Sequence, residues 1–216
     1  MSVTTRIQEL NNRLATNLVS KGVSAEGTET TTELINKVND IESGGTSVIN
    51  SEWTDWRYFS YYDNRNDLVA KLKYSDTANG KNFSFMFYNC TALTSIPQLD
   101  TSNGTNFGYM FNGCSALTTI PLLNMSNVSG TSWSNMFYNC TALENVTFEG
   151  TIPVRGNMSV FSYSNKLTVK SLMSFINALT NMSDTATYTI TIGSTNLAKL
   201  TEEQIQIATD KRITLQ

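Results

Sequence analysis

The chain has 216 residues, of which 40% are apolar, with a net charge of −3; that is enough for one ordinary domain, or two small ones, with a true core. Charged residues are only 15% and there is no His, so His-dependent triads, His-ligated zinc and imidazole acid–base work are excluded. No Lys/Arg-rich run is present to track a phosphate backbone, no window approaches the ~20 apolar residues of a membrane span, and Met1 to Leu18 has no signal-peptide pattern; neither nucleic acid nor membrane insertion is expected, nor export by the usual route.

In chain order, Ile7, Leu10, Leu14 and Leu18 mark one face of a predicted helix over 4–18, and Leu34, Ile35, Val38 and Ile41 mark a second over 32–41. The two helices read either as a small hairpin that packs on the rest of the chain or as an attachment and oligomerisation arm with a brief coiled-coil face. A Ser-Gly-Gly-Thr-Ser linker at 43–47 follows. The division expected is residues 1–48 as helical arm and linker and residues 49–216 as the body. Trp53 and Trp56, with tyrosines 58, 61 and 62, then form an aromatic cluster that reads as core packing or as ligand contact.

The strongest signal is a repeat. Met86-Phe87-Tyr88-Asn89-Cys90, Met110-Phe111-Asn112-Gly113-Cys114 and Met136-Phe137-Tyr138-Asn139-Cys140 are each followed by Leu-x-x-Ile or Leu-x-x-Val, and each is preceded by an aromatic (Phe83, Phe107, Trp133). The period, 24 residues and then 26, falls in the leucine-rich-repeat range. One unit cannot bury its own apolar residues, so Leu93, Leu117 and Leu143, like Ile96, Ile120 and Val146, are expected to align into internal columns. The Met-Phe pair reads as the start of a short helical or 3₁₀ turn and the Leu-x-x-Ile stretch as a short parallel strand, which Pro97 and Pro121 should end or bulge.

Cys90, Cys114 and Cys140 share one register. They read as free buried thiols packing as small apolar groups, with a disulfide or a metal site as the alternative. The acidic residues are scattered, and no catalytic, cofactor-binding or metal-ligating set is assigned. Tyr88 and Tyr138, with Asn112 between them in the repeat, and Trp53 and Trp56 are the candidate binding residues; Ile7, Leu10, Leu14 and Leu18 are the candidate attachment residues. Beyond the repeats, residues 171–179 have helical spacing, 188–192 alternate like a strand, Thr201-Glu202-Glu203 opens another helix, and a last strand is expected near 213–215.

The Met-Phe-x-x-Cys-x-x-Leu-x-x-Ile unit resembles the BspA-type leucine-rich repeats of bacterial surface proteins, some protists and bacteriophage structural proteins. That resemblance implies an α/β repeat solenoid with core repeats over 83–169, the helical arm before them and a C-terminal α/β cap over 170–216. Leu14-Ala15-Thr16-Asn17-Leu18-Val19-Ser20-Lys21-Gly22-Val23-Ser24-Ala25 resembles N-terminal segments of phage tail, baseplate and fibre proteins. Together the resemblances imply a non-enzymatic virion protein, assembled in the host cytoplasm and without cofactors. Its arm would dock to other virion proteins, with a homotrimer as one oligomer it would support, and its repeats would bind a host-surface glycan or protein. A bacterial cell-surface adhesin and a purely architectural head-decoration protein are the alternatives.

Overall fold

The computed structural model describes residues 54–57, 59, 60, 69, 72, 74–183 and 185–216. The arm residues Ile7, Leu10, Leu14 and Leu18, and Trp53, lie outside them. In chain order the described part has a 3₁₀ turn at Tyr74–Thr77, strands β1 (Thr119–Asn124), β2 (Asn145–Glu149), β3 (Ile152–Val154) and β4 (Met158–Ser159), and helix α1 (Val169–Ala178). Strands β5 (Leu179–Asn181) and β6 (Tyr188–Thr191), helices α2 (Ser194–Leu197) and α3 (Glu202–Asp210), and strand β7 (Ile213–Leu215) complete it.

Every strand pair is parallel, but the strands form three separate sheets: β1 with β2, β3 with β5, and β4, β6 and β7 with β6 central. The expected α/β repeat solenoid, with one sheet running through all the units, an arm and a cap, is therefore corrected to small parallel sheets of two or three strands with few helices. Side chains explain why the first sheet stops at two strands. On the β1 side, Gln98 Nε2 donates to the Leu122 carbonyl at 2.7 Å, and the Thr101 hydroxyl both donates to the Asn124 carbonyl and accepts from its N–H. On the β2 side, the Ser171 and Ser174 hydroxyls of α1 accept from the Val146 and Phe148 N–H groups at 3.0 and 2.9 Å. Both outer edges are thus satisfied without a further strand. Pro121 sits where the β1–β2 register shifts, between Ile120 and Leu123, and the stretch around Pro97 forms no strand.

The Met-Phe steps form turns rather than helix. Each unit holds two residues in the left-handed region, Phe85 and Asn89, Tyr109 and Gly113, Asn135 and Asn139, and such residues break a right-handed helix within one turn. Equivalent residues nevertheless meet across units. The Phe83 N–H donates to the Asn106 carbonyl and that of Phe107 to the Ser132 carbonyl, while the N–H groups of Phe87, Phe111 and Phe137 donate to the carbonyls of Met110, Met136 and Val160. The rings of Phe87, Phe111, Phe137 and Phe161 stack in sequence at 5.4, 5.7 and 5.2 Å between centroids, inclined by 16° or less. All four are buried, as are Leu93, Leu117 and Leu143; each such side chain contributes roughly 1.5–3 kcal/mol on burial. The paired Asx-x-Ser-Asn steps also have matching roles, Asp100 and Asn124 accepting from Ser102 and Ser126 N–H, and Asn103 and Asn127 donating back to the Ala78 and Ser102 carbonyls.

The three cysteines are free and buried, and they do more than fill space. The Cys114 and Cys140 thiols donate to the Phe87 and Phe111 carbonyls of the preceding unit, each at 3.0 Å, and the Cys90 thiol donates likewise to the Ser60 carbonyl. In the last unit Ser164 takes the register: its hydroxyl donates to the Phe137 carbonyl and accepts from the Cys140 N–H at 2.8 Å. Burial pushes the Cys114 thiol well up and that of Cys140 up to about 12.

Toward the C-terminus, α1 is capped by Thr168, and α3 by a reciprocal Thr201–Gln204 capping box. The expected helix over 171–179, the strand near 188–192 and the last strand at 213–215 are present at those places. The helix opened by Thr201 runs Glu202–Asp210.

Two stability outcomes follow. A Cβ added at Gly104 would stand 2.1 Å from the Phe107 ring, so Gly104→Ala should lower stability by about 1–3 kcal/mol, and Leu117→Asp should abolish the cooperative thermal transition by burying an unpaired charge. Calorimetry checks both, and an unchanged melt for either would refute the packing described. Because the folded thiols hold their protons to higher pH than unfolded ones, their contribution is whole below pH 9 and is lost as pH rises toward 12. Thiol alkylation at pH 8 should accordingly proceed only on unfolding, and rapid labelling of the native protein would contradict the burial.

Candidate ligand-binding face

The turns 85–89, 109–113, 135–139 and 159–163 occupy equivalent places in successive units and present the aromatic residues that the core does not absorb. Asn89, Gly113, Asn135 and Asn139 have positive φ at little cost, since Asn and Gly tolerate the left-handed region. Phe85, Tyr109 and Tyr163 adopt the same conformation at φ of 59°, 58° and 65°, where a bulky side chain is an outlier that costs of order 1 kcal/mol. Phe85 stacks on Tyr109 at 4.9 Å and 3°, with Tyr88 tilted against both at 5.6 and 6.4 Å. Tyr109 is 37% exposed and Tyr163 62%.

Tyr163 meets Tyr138 edge-on at 5.2 Å and 77°. These two rings, with Ser162, Asn165, Gly193, Ser194 and Thr195, line an open groove of about 400 Å³. Its lining has no charged side chain. The neighbouring Lys199 ammonium, held below its usual value by partial burial, is spent on the carbonyls of Asn165 and Leu167 and on the Asn196 side chain. Another concavity, of about 540 Å³, lies between Asn177–Asn181 and Asp210–Arg212. Its Lys211 closes the end of α1 by donating to the Ile176 and Asn177 carbonyls at 3.0 and 2.8 Å, a structural use of that cation.

Of the residues singled out from sequence, Tyr88 and Tyr138 lie partly exposed on this face. Trp56 does not: it is 1% exposed, and its N–H donates to the Asn82 carbonyl as Phe83 and Phe107 do in their units. It is the first member of the aromatic core column, and its candidacy for ligand contact is corrected accordingly. Asn112 is likewise corrected. Only 9% exposed, it accepts the Asn89 N–H on its carbonyl and turns its side-chain amide to the Asn135 carbonyl, so it serves the turn stack. Tyr109 and Tyr163 were not among the candidates, although an aromatic in a register otherwise filled by Asn or Gly was the signal that would have found Tyr163. Among the described residues, no three His, Cys, Asp or Glu side chains converge as metal ligands would, and no helix is long and apolar enough to cross a membrane.

Comparison with known proteins places the sequence match over the same units. No curated protein and no solved structure matches the chain. A family described as "Mycoplasma protein of unknown function, DUF285" matches residues 57–175. DUF285 is the name of the BspA-like repeat family in mollicutes, so the finding corrects the attribution to a bacteriophage tail, baseplate or fibre: nothing in the match connects the chain to a phage particle. With more than half of its 216 residues matched, the chain belongs to the family of mycoplasma proteins of unknown function DUF285.

Proposed function

We propose that this chain is a non-catalytic interaction module of the adhesin kind, displayed at a cell surface, which binds a partner glycan or protein through the turn face that includes Phe85, Tyr88, Tyr109, Tyr138 and Tyr163. The observation that carries the reading is the left-handed backbone of Phe85, Tyr109 and Tyr163. Asn or Gly fills these registers at lower cost in other units, and Tyr109 and Tyr163 add little to the core because they remain exposed. Strain retained where packing does not require it belongs to surfaces that do something. Exposed tyrosines are also effective contact residues, since a large amphipathic ring is ordered with few rotatable bonds.

Chemistry supports binding over catalysis. The chain lacks imidazole altogether, and the thiols of Cys114 and Cys140 are buried with pKa values raised, the opposite of what a nucleophile needs. A slightly negative, sparsely charged chain favours partners recognised by shape and neutral hydrogen bonding.

The test is saturable binding of the full chain to intact bacterial and animal cells, compared with the Tyr109→Asn/Tyr163→Asn double variant. The substitutions relieve two left-handed penalties of about 1 kcal/mol each and forgo two half-exposed ring contacts of about 0.5 kcal/mol each. The melting temperature should therefore hold or rise by a few degrees while binding falls at least about tenfold. Cell binding that the double variant leaves intact, or its absence from every surface tried, would overturn the reading.

A further inference from the structure

We propose that the groove between Tyr138 and Tyr163 is a subsite for one or two rings of a neutral saccharide. The proposal rests on the reading of the turn face as a binding surface and assigns the chemical class of ligand at one end of it. A pyranose has an apolar C–H face and a rim of hydroxyls that both donate and accept, and the lining of the groove offers counterparts to both. The aromatic surface is the edge-on pair of tyrosine rings, 5.2 Å apart, with Tyr163 open to solvent. The hydroxyl and amide groups come from Ser162, Asn165, Ser194 and Thr195.

Their hydrogen-bonding capacity is available. Among the described residues, the hydroxyls of Tyr138, Tyr163, Ser194 and Thr195 and the side-chain amide of Asn165 have no protein partner, and Ser162 shares only a 2.6 Å contact with Ser159. Gly193, also in the lining, adds no side chain. A volume of about 400 Å³ is at the small end of the range for small-molecule sites, which limits the occupant to one or two sugar rings with the remainder of a glycan outside.

Charge decides between sugar classes. No Lys or Arg lines the groove, and Lys199 nearby has its ammonium turned to three protein oxygens. A sialylated or sulfated sugar would lose hydration at its anion and find no cation in return. A neutral sugar loses nothing of that kind. An extended peptide is also a poor occupant, because the lining offers no free strand edge and no charged anchor.

The experiment uses the full chain against immobilised neutral oligosaccharides built on glucose, galactose, mannose and N-acetylglucosamine, with sialylated and sulfated counterparts on the same surface. Wild type is compared with Tyr138→Ala, Tyr163→Ala and Thr195→Ala, and with Tyr74→Ala as an aromatic control, 54% exposed and outside the turn face. Binding to one or more neutral oligosaccharides is expected, weakened about tenfold by Tyr163→Ala and unchanged by Tyr74→Ala. Thr195→Ala should weaken it by a smaller factor without altering the melt. Binding confined to anionic glycans, neutral binding that survives Tyr163→Ala and Tyr138→Ala alike, or no glycan binding at all would overturn the subsite. Such a failure is distinguishable from failure of the broader reading, because cell binding sensitive to Tyr109→Asn/Tyr163→Asn but resistant to periodate oxidation of surface glycans would leave a protein partner in its place.

Discussion

The structure depends on one repeated buried hydrogen bond, the donation from a small side chain at the Cys register to the Phe carbonyl of the unit before it. The Phe87 and Phe111 carbonyls, buried in an aromatic core, also accept the Cys90 and Cys114 N–H groups of their own units at 3.1 and 3.0 Å, so the side-chain donor is a second partner that ties each of them to the next unit, and such a bond contributes about 0.5–1.5 kcal/mol. Cys114 and Cys140 supply that bridge with thiols, and Ser164 supplies it with a hydroxyl that also accepts the Cys140 N–H. The replacement of sulfur by oxygen at the final unit is intelligible in these terms. A purely apolar role would have favoured Ala or Val there, whereas a bridging role accepts any small group that can donate. Beside it run the backbone bonds from the Phe87, Phe111 and Phe137 N–H groups to the next unit, and the Phe rings stack alongside them at 5.2 to 5.7 Å.

From that spacing follows the exposed face. Once the Phe and Cys positions are tied inward, the residues just before the Met and just before the Cys must reverse the chain, and both adopt the left-handed conformation. Asn and Gly do this without consequence. An aromatic side chain in the same place points a large ring away from the core, which is how Tyr109 and Tyr163 come to be exposed. The core and the face are therefore two products of one turn geometry, and the groove at Tyr163 exists because the chain returns beside it at Gly193–Thr195.

Much of this was legible in the residues, and what was not has identifiable causes. The columns headed by Phe83, Leu93 and Cys90 could be read from a fixed period, because burial selects the same residue type at the same place in each unit. The Thr201 start of α3 and the register shift at Pro121 were equally local. Continuity of the sheet was not local: it was decided by Gln98, Ser171 and Ser174, polar side chains that reach 24 to 26 residues along the chain to take the place of another strand. Gly80 and Gly104, each three residues before a core Phe and each filled by that ring, formed a periodic signal that composition-based reading passes over. Trp56 was misjudged because a Trp near the start of a repeat array looks like a binding residue until its backbone is seen to pair as Phe83 does. Asn112 was misjudged for a related reason, its register being shared with two tyrosines whose side chains turn outward while its own turns in.

Native-state hydrogen exchange of the Phe87, Phe111 and Phe137 amides tests the central claim most directly, since each donates across to the next unit at 2.9, 3.0 and 3.2 Å. If the units are held in register by these bonds and by the Cys/Ser column, the three amides exchange together, in the slowest class, at the rate set by global unfolding. Exchange of any of the three at the rate of an exposed turn amide, while the α1 helix stays protected, would contradict the account.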